Sequence, residues 1–152
     1  MKFNLRKSKV EDCAALYGYL RKEDLREVSA AGVTSYAALR DGFDRSIECC
    51  TATAEDDKVI AMFGVSPVVP AGDEALVWFL GSRRVDDFKF EYLRWGKRYM
   101  AEVMREYRKA FNYCLADSVK TIRFLRLMGF KFLPEHDVTV NGWHWKYFEM
   151  EA

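Results

Sequence analysis

Apolar and polar positions alternate along this chain in two rhythms, and the places where the rhythm changes delimit the elements. Phe3-Asn4-Leu5-Arg6 reads as a short strand. Ser8-Lys9-Val10-Glu11 then has the form of a capping box, with a hydroxyl at the cap and a carboxylate three residues on. The helix it opens should carry Val10, Cys13, Ala14, Tyr17 and Leu20 on one side. A second helix is expected from Asp24 to Ala31, stopped by Gly32. Thr34 can cap a third that runs through Ser46, with Ala37, Ala38 and Phe43 turned inward.

From Ile47 the period shortens. Cys49 to Ala54 and Val59 to Val69 read as strands joined by a turn at Glu55-Asp56-Asp57, and Pro67 marks an edge, a bulge or an end. Pro70-Ala71-Gly72-Asp73 signals another turn. Ala75 to Leu80 is continuously apolar, as expected of a central strand buried on both faces, and it stops at Gly81-Ser82. The longest helix should cover Asp86 to Tyr107, with Phe88, Tyr92, Trp95, Tyr99, Val103 and Tyr107 as its core stripe. Ala110 to Ala116 makes a strand. Ser118 caps a helix that points Ile122, Leu125 and Met128 inward. Phe130 to Leu133 and Trp143 to Met150 complete the sheet, with Asn141-Gly142 as a hairpin turn. Strand-helix-strand units in the second half imply parallel pairing, with antiparallel hairpins on both sides. The fold class is therefore α/β, a mixed sheet covered by helices.

Composition narrows the function classes. The 152 residues fit one domain spanning 1–152, and with half of them hydrophobic the chain can bury a core without metal or disulfide staples. A net charge of +1 gives no global field toward nucleic acid or an anionic membrane. Arg83 and Arg84 with Arg94, Lys97 and Arg105 could form a local basic patch, but solvated helix faces commonly look the same, and no nucleic-acid partner is expected. No apolar run reaches the ~20 residues of a membrane span, and the opening MKFNLRKSKVED has no signal-peptide core, so a cytoplasmic location is expected. Cys13, Cys49, Cys50 and Cys114 show neither disulfide nor zinc spacing, and adjacent Cys49 and Cys50 should face opposite sides of a strand. His136 and His144 lack partners at ligand spacing, so no metal site is expected. Trp143 and Trp145 share one face of their strand, as core residues or, if exposed, as a protein-binding pair.

One segment carries a resemblance. Asp117-Ser118-Val119-Lys120-Thr121-Ile122-Arg123-Phe124-Leu125-Arg126-Leu127-Met128-Gly129-Phe130 looks like the late motif of the GCN5-related N-acetyltransferase superfamily, with Ser118 where Asn is usual. The resemblance implies that acyl-CoA N-acyltransferase fold, a central mixed sheet flanked by helices, and admits acetyl-CoA as a cofactor. Two stretches, Leu20 to Val28 and Phe111-Asn112-Tyr113-Cys114 running on to Phe130, further resemble phage proteins related to internal virion protein A of T7-like podoviruses. That second resemblance implies a role in virion morphogenesis. It points to phage virion or assembly proteins, or a host protein, as partners, and to the cytoplasm of the infected host or the virion as location.

The superfamily's cofactor pattern is thin here. Acetyl-CoA pyrophosphate would meet the amides of a Gly-containing loop opening the long helix, because orphan N–H groups and the positive helix end attract an anion. The corresponding stretch is Gly81-Ser82-Arg83-Arg84-Val85-Asp86-Asp87-Phe88, where only Gly81 of the loop glycines is present and Asp86 or Asp87 could cap the helix instead. The resemblance makes Leu80, Gly81, Ser82, Arg83, Arg84 and Ser118 the candidate cofactor residues. Arg83 and Arg84 could grip phosphates with their guanidinium forks or simply lie solvated. The usual general acid is a Tyr seven residues after the capping Asn; that position is Leu125, which holds no proton to give. Val77, Trp78 and Phe79 stand where a basic carboxylate is often found; Tyr113 on the neighbouring strand could serve as base or be structural, so acid and base stay unassigned. Arg21, Asp24 and Glu27 would border a substrate or partner groove, or serve as caps and exposed salt links.

Overall fold

The computed structural model describes residues 3–152; Met1 and Lys2, which open the charged N-terminal stretch, lie outside them. The elements run β1 (Phe3–Lys7), α1 (Glu11–Leu16), α2 (Lys22–Ala30), α3 (Ser35–Arg45), β2 (Glu48–Ala54), β3 (Val59–Pro67), β4 (Glu74–Gly81), α4 (Lys89–Glu106), β5 (Lys109–Leu115), α5 (Val119–Met128), β6 (Lys131–Phe132), β7 (Val138–Val140) and β8 (Trp143–Glu151). Short 3-10 turns occupy Tyr17–Tyr19, Arg83–Phe88 and Pro134–His136. The strands form a mixed sheet in the order β1-β2-β3-β4-β5-β8-β6, with β7 paired to β8. β4 and β5 run parallel, from Glu74 beside Lys109 to Leu76 beside Phe111, with α4 as the crossover helix. β1 with β2, β2 with β3 and β5 with β8 are antiparallel. No helix among the described residues is long and apolar enough to cross a membrane. Two compact units make up the chain: Met1–Ser66 with Trp78–Glu91, and Pro67–Val77 with Tyr92–Ala152.

In the first unit, Cys13, Leu16, Leu20, Leu39, Cys49 and Met62 form the core, with Phe43, Val59, Trp78 and Leu80 packed on it. α1 is shorter than its apolar spacing suggests. It ends at Leu16, and the 3-10 turn that follows swings Tyr17 out to 48% exposure, edge-on to the exposed Tyr36. Ala14 and Ala37, both expected inside, are also exposed; the buried residue of α3 is Leu39. Thr34 does cap α3, its hydroxyl accepting from the Ala37 amide at 3.1 Å. Cys49 is buried and Cys50 half-buried, and burial, with Glu48 adding to it, pushes the Cys50 thiol up to about 11. The indole Nε1 of Trp78 donates to Ser46 Oγ at 2.7 Å. Its ring lies so close to the chain that a Cβ at Gly42 would come within 2.8 Å of it, and one at Gly64 within 2.7 Å.

A buried carboxylate ties β1 to α1. Asp12, 4% exposed, accepts two bonds from the Arg6 guanidinium at 2.8 Å, one from Thr51 Oγ1 at 2.8 Å and one from the Lys9 amide at 2.8 Å. The capping box expected at Ser8 and Glu11 therefore does not form. Ser8 Oγ bonds Thr51 Oγ1 at 2.6 Å instead, Val10 occupies the cap position without a side-chain bond, and Asp12 takes the role assigned to Glu11.

In the second unit, β5 and β8 carry the core, with Ala110, Cys114, Leu115, Tyr147 and Phe148 buried. Phe130 meets Phe148 edge-on at 5.1 Å. β3 ends at Pro67, as a residue without an amide proton requires, and Ala71 supplies the left-handed position of the next turn at φ 60°. The run Ala75–Leu80 is not buried on both faces: Ala75 is, whereas Leu76 to Leu80 are half-buried. The expected stripe holds except at Trp95: Phe88, Tyr92 and Val103 are buried and Tyr99 and Tyr107 half-buried. Met100 is buried as well, while Trp95 stands 39% exposed under the Arg98 guanidinium at 5.3 Å. Asn141 and Gly142 both have positive φ, 53° and 80°, the requirement of a type I′ hairpin, but the strand they join to β8 is β7, and β6 is only two residues long. Trp143 is 39% exposed, so the pair Trp143 and Trp145 is not a core pair.

Replacing Asp12 by Ala should lower the unfolding free energy at neutral pH by about 2 kcal/mol, less than for a fully enclosed ion pair because Arg6 is 35% exposed. Burial pushes the Asp12 carboxyl up, but the bonds from Arg6, Lys9 and Thr51 outweigh it and hold the group below its ordinary 3.8. Its contribution is then present above pH 3.8 and is lost as pH falls through the lowered value. Guanidinium denaturation of both proteins along a pH series should show the difference shrinking in acid. A gap unchanged near pH ~2 would assign the effect to packing alone.

Candidate functional site

The residues expected at a cofactor loop and those expected at a substrate groove meet at the end of β4. Leu20 and Ser82 form an isolated antiparallel bridge. Next to it the Arg21 amide donates to the Gly81 carbonyl at 2.9 Å, and the Gly81 amide donates to Asp24 Oδ2 at 2.8 Å. Arg21 returns to the same carboxylate through Nε at 2.8 Å and NH2 at 3.3 Å, while its guanidinium lies 5.2 Å from the Phe79 ring centre. Asp24 is 4% exposed. Burial pushes its carboxyl above the ordinary range, against the pull of Arg21 and the Gly81 amide. On Arg21 burial acts downward, yet Asp24 holds the guanidinium above its ordinary value. Arg21 and Asp24 thus face the strand end as a clamp, and Glu27 lies half-buried one turn further along α2.

The loop after the clamp has little left to offer an anion. The Gly81 amide is taken by Asp24, and the Ser82 amide donates to the Ile60 carbonyl at 2.8 Å. The Arg84 amide donates to Ser82 Oγ at 3.3 Å and the Val85 amide to the Ser82 carbonyl at 3.1 Å. Ser82, not Asp86 or Asp87, caps the segment, and what it caps is the 3-10 turn Arg83–Phe88; α4 begins only at Lys89. A 3-10 turn bonds each amide three residues back, so it leaves fewer orphan donors aligned at one point than an α-helix start does. Arg84 spans to Asp56 at 3.2 Å, and Arg83 is exposed. The residues present therefore do not fit the pyrophosphate cradle that the resemblance implies.

The remaining candidates belong to the second unit. Ser118 sits at the cap position of α5, but its side chain makes no capping bond; its carbonyl accepts from Ile122. Leu125 is half-buried, and its carbonyl accepts from the Phe130 amide where Gly129, at φ 105°, ends the helix. Tyr113 is half-buried on β5, its ring 5.4 Å from Tyr147, whose hydroxyl donates to Glu149 at 2.9 Å. Burial first, then the Glu149 carboxylate, pushes the Tyr147 hydroxyl far up. Burial would raise Glu149 as well, but the Tyr147 hydroxyl, then a bond with Glu151, and then Lys109 and His136 nearby hold it down. Sequence reading passed over Asn112, whose Nδ2 donates to the Val77 carbonyl at 2.7 Å while its Oδ1 accepts from the Tyr113 amide at 2.8 Å. The available signal was an amide side chain inside an otherwise apolar strand.

Substituting Asp24 by Ala should cost about 3 kcal/mol of stability, because Arg21 and the Gly81 amide both lose a buried partner. Asp24→Asn keeps one acceptor and removes the buried charge, so it should cost less than half as much. Chemical denaturation of the two variants decides; equal losses would show that the amide bond contributes nothing.

No family model matches the sequence, and no curated protein does. Solved structures match over nearly the whole chain. The aminoglycoside acetyltransferase AAC(6')-Ib in complex with ribostamycin and coenzyme A superposes with a TM-score of 0.73 at 13% identity, covering 100% of this chain and 94% of that one. A spermidine N-acetyltransferase chimera of SpeG from Vibrio cholerae and hSSAT gives 0.70 at 12% identity, covering 99% and 96%. The ribosomal-protein-S18-alanine N-acetyltransferase of Escherichia coli gives 0.66 at 15% identity, covering 99% and 94%. At these identities the likeness is one of fold, and it agrees with the strand order and the α4 crossover: the chain has the fold of the GCN5-related N-acetyltransferases.

Proposed function

We propose that this is a phage-encoded acetyltransferase-like protein that works by binding rather than by acetyl transfer, as an assembly factor in virion morphogenesis. The observation that carries the reading is the loop after β4, where the amides of Gly81, Ser82, Arg84 and Val85 are all engaged inside the protein. An anion entering there would have to break bonds already made. Leu125, without a proton to donate, at the position of the usual acid supports the same reading. The phage context rests on the resemblance of Leu20 to Val28 and of Phe111 to Phe130. Partners are then virion or assembly proteins, or a host protein, met in the cytoplasm of the infected cell or in the particle.

A second reading, an acetyl-CoA-dependent N-acetyltransferase acting on a protein or small amine, is favoured by fold relatives solved with coenzyme A. In it Arg83 and Arg84 would take the phosphates, Arg84 giving up Asp56 to do so.

Isothermal calorimetry of the purified chain with acetyl-CoA, and separately with CoA, should give no binding heat at several temperatures. Micromolar binding, abolished in the double variant Arg83→Ala/Arg84→Ala and accompanied by acetylation of an amine, would overturn the first reading and establish the second.

A further inference from the structure

α5 has more apolar surface than its own unit covers. Six of its ten residues are apolar (Val119, Ile122, Phe124, Leu125, Leu127 and Met128), yet none of the ten is buried. Val119 is 63% exposed and Leu127 55%. The outward stripe Val119, Ile122, Arg123, Arg126, Leu127 follows the i, i+3, i+4, i+7, i+8 spacing of one helix face. With Lys146 from β8 this stripe lines an open groove of about 500 Å³. Its polar lining is cationic throughout. No acidic side chain lines it, and none of the ion pairs among the described residues includes Arg123, Arg126 or Lys146. Arg126 is held over the Phe132 ring at 5.2 Å, which fixes its charge beside the groove.

We infer that this groove docks an acidic amphipathic helix of a partner protein, with apolar anchors on Val119, Ile122 and Leu127 and carboxylates against Arg123, Arg126 and Lys146. Charge complementarity selects the occupant. Apolar floor and basic rim together suit a segment that carries leucine-like anchors flanked by Asp or Glu, whereas a purely apolar segment leaves three cations facing no counter-charge. The stripe spans eight residues of rise, about 12 Å, which matches anchors at i, i+4 and i+7 of a partner helix.

A fluorescein-labelled synthetic helix of about three turns, roughly 11 residues, with leucines at those spacings and glutamates beside them, is the probe. Fluorescence anisotropy should show micromolar binding that weakens with added salt and falls at least about tenfold when Gln replaces every Glu. Arg123→Glu/Arg126→Glu should lose about tenfold or more in affinity, and so should Lys146→Glu, which changes a different element in case the first variant misfolds; circular dichroism and thermal melting check both. Leu127→Asp should weaken binding through the apolar side. Equal binding of the Glu and Gln peptides, or wild-type affinity in both charge-reversal variants, would overturn the proposal. So would displacement of the peptide by CoA, capture of the chain by anionic vesicles in preference to the peptide, or self-association abolished by Leu127→Asp. Those last outcomes assign the groove to a nucleotide, a membrane or a second copy.

Discussion

Everything at the end of β4 depends on one buried carboxylate. Burial raises the proton affinity of Asp24, and its bonds to Arg21 and the Gly81 amide oppose that rise. The balance holds only while both donors stay in place, since a buried charge stripped of one partner is far costlier than a buried apolar contact. The clamp therefore sets where Gly81 and Ser82 sit, and Ser82 in turn caps the 3-10 turn that leads into α4. A loop anchored at its first residue has little freedom to reopen for a phosphate. The Asp24 bond that stabilises the strand end is also what removes the Gly81 amide from use.

Asp12 uses the same device elsewhere with the opposite electrostatic outcome. It too is almost fully buried, but three different donors outweigh burial and its proton affinity falls. Asp24 has two, and its affinity rises. In both cases the carboxylate joins a helix to strand backbone or side chains far along the sequence, Thr51 in one and Gly81 in the other. Such contacts fix where a short helix lies when its own length is too small to be stable alone.

Much of the fold was legible because the period of apolar positions switches cleanly at Ile47 and because two helix-boundary signals are unambiguous. Thr34 caps and Gly129 terminates where expected, as each residue type has one low-energy role in its position. Ser8 was harder. A hydroxyl can bond its own helix or a neighbouring strand with similar gain, and here Thr51, distant in sequence, wins. Continuous apolarity from Ala75 to Leu80 suggested full burial, but apolar composition states what a strand can bury and not what covers it. At the end of β4 the sequence does not show which residues pair. Arg21 and Asp24 look like surface residues in the sequence, and only the return of β4 beside them turns the pair inward. Arg84 meets Asp56 for the same reason, through a partner that no local pattern reveals.

The packing of Trp78 has a consequence for how this sequence can drift. Its indole occupies the space that side chains at Gly42 and Gly64 would need, and its Nε1 holds Ser46. Positions 42, 46, 64 and 78 are therefore sterically tied to one another. A methyl group at 42 requires a smaller ring at 78, whereas one at 64 would also meet Ser46 Oγ at 2.6 Å and the Glu48 carbonyl at 2.8 Å; a smaller ring leaves the Ser46 hydroxyl to find another partner. Among distant descendants of this chain, that quartet should change together or stay as it is, whatever becomes of the loop beyond β4.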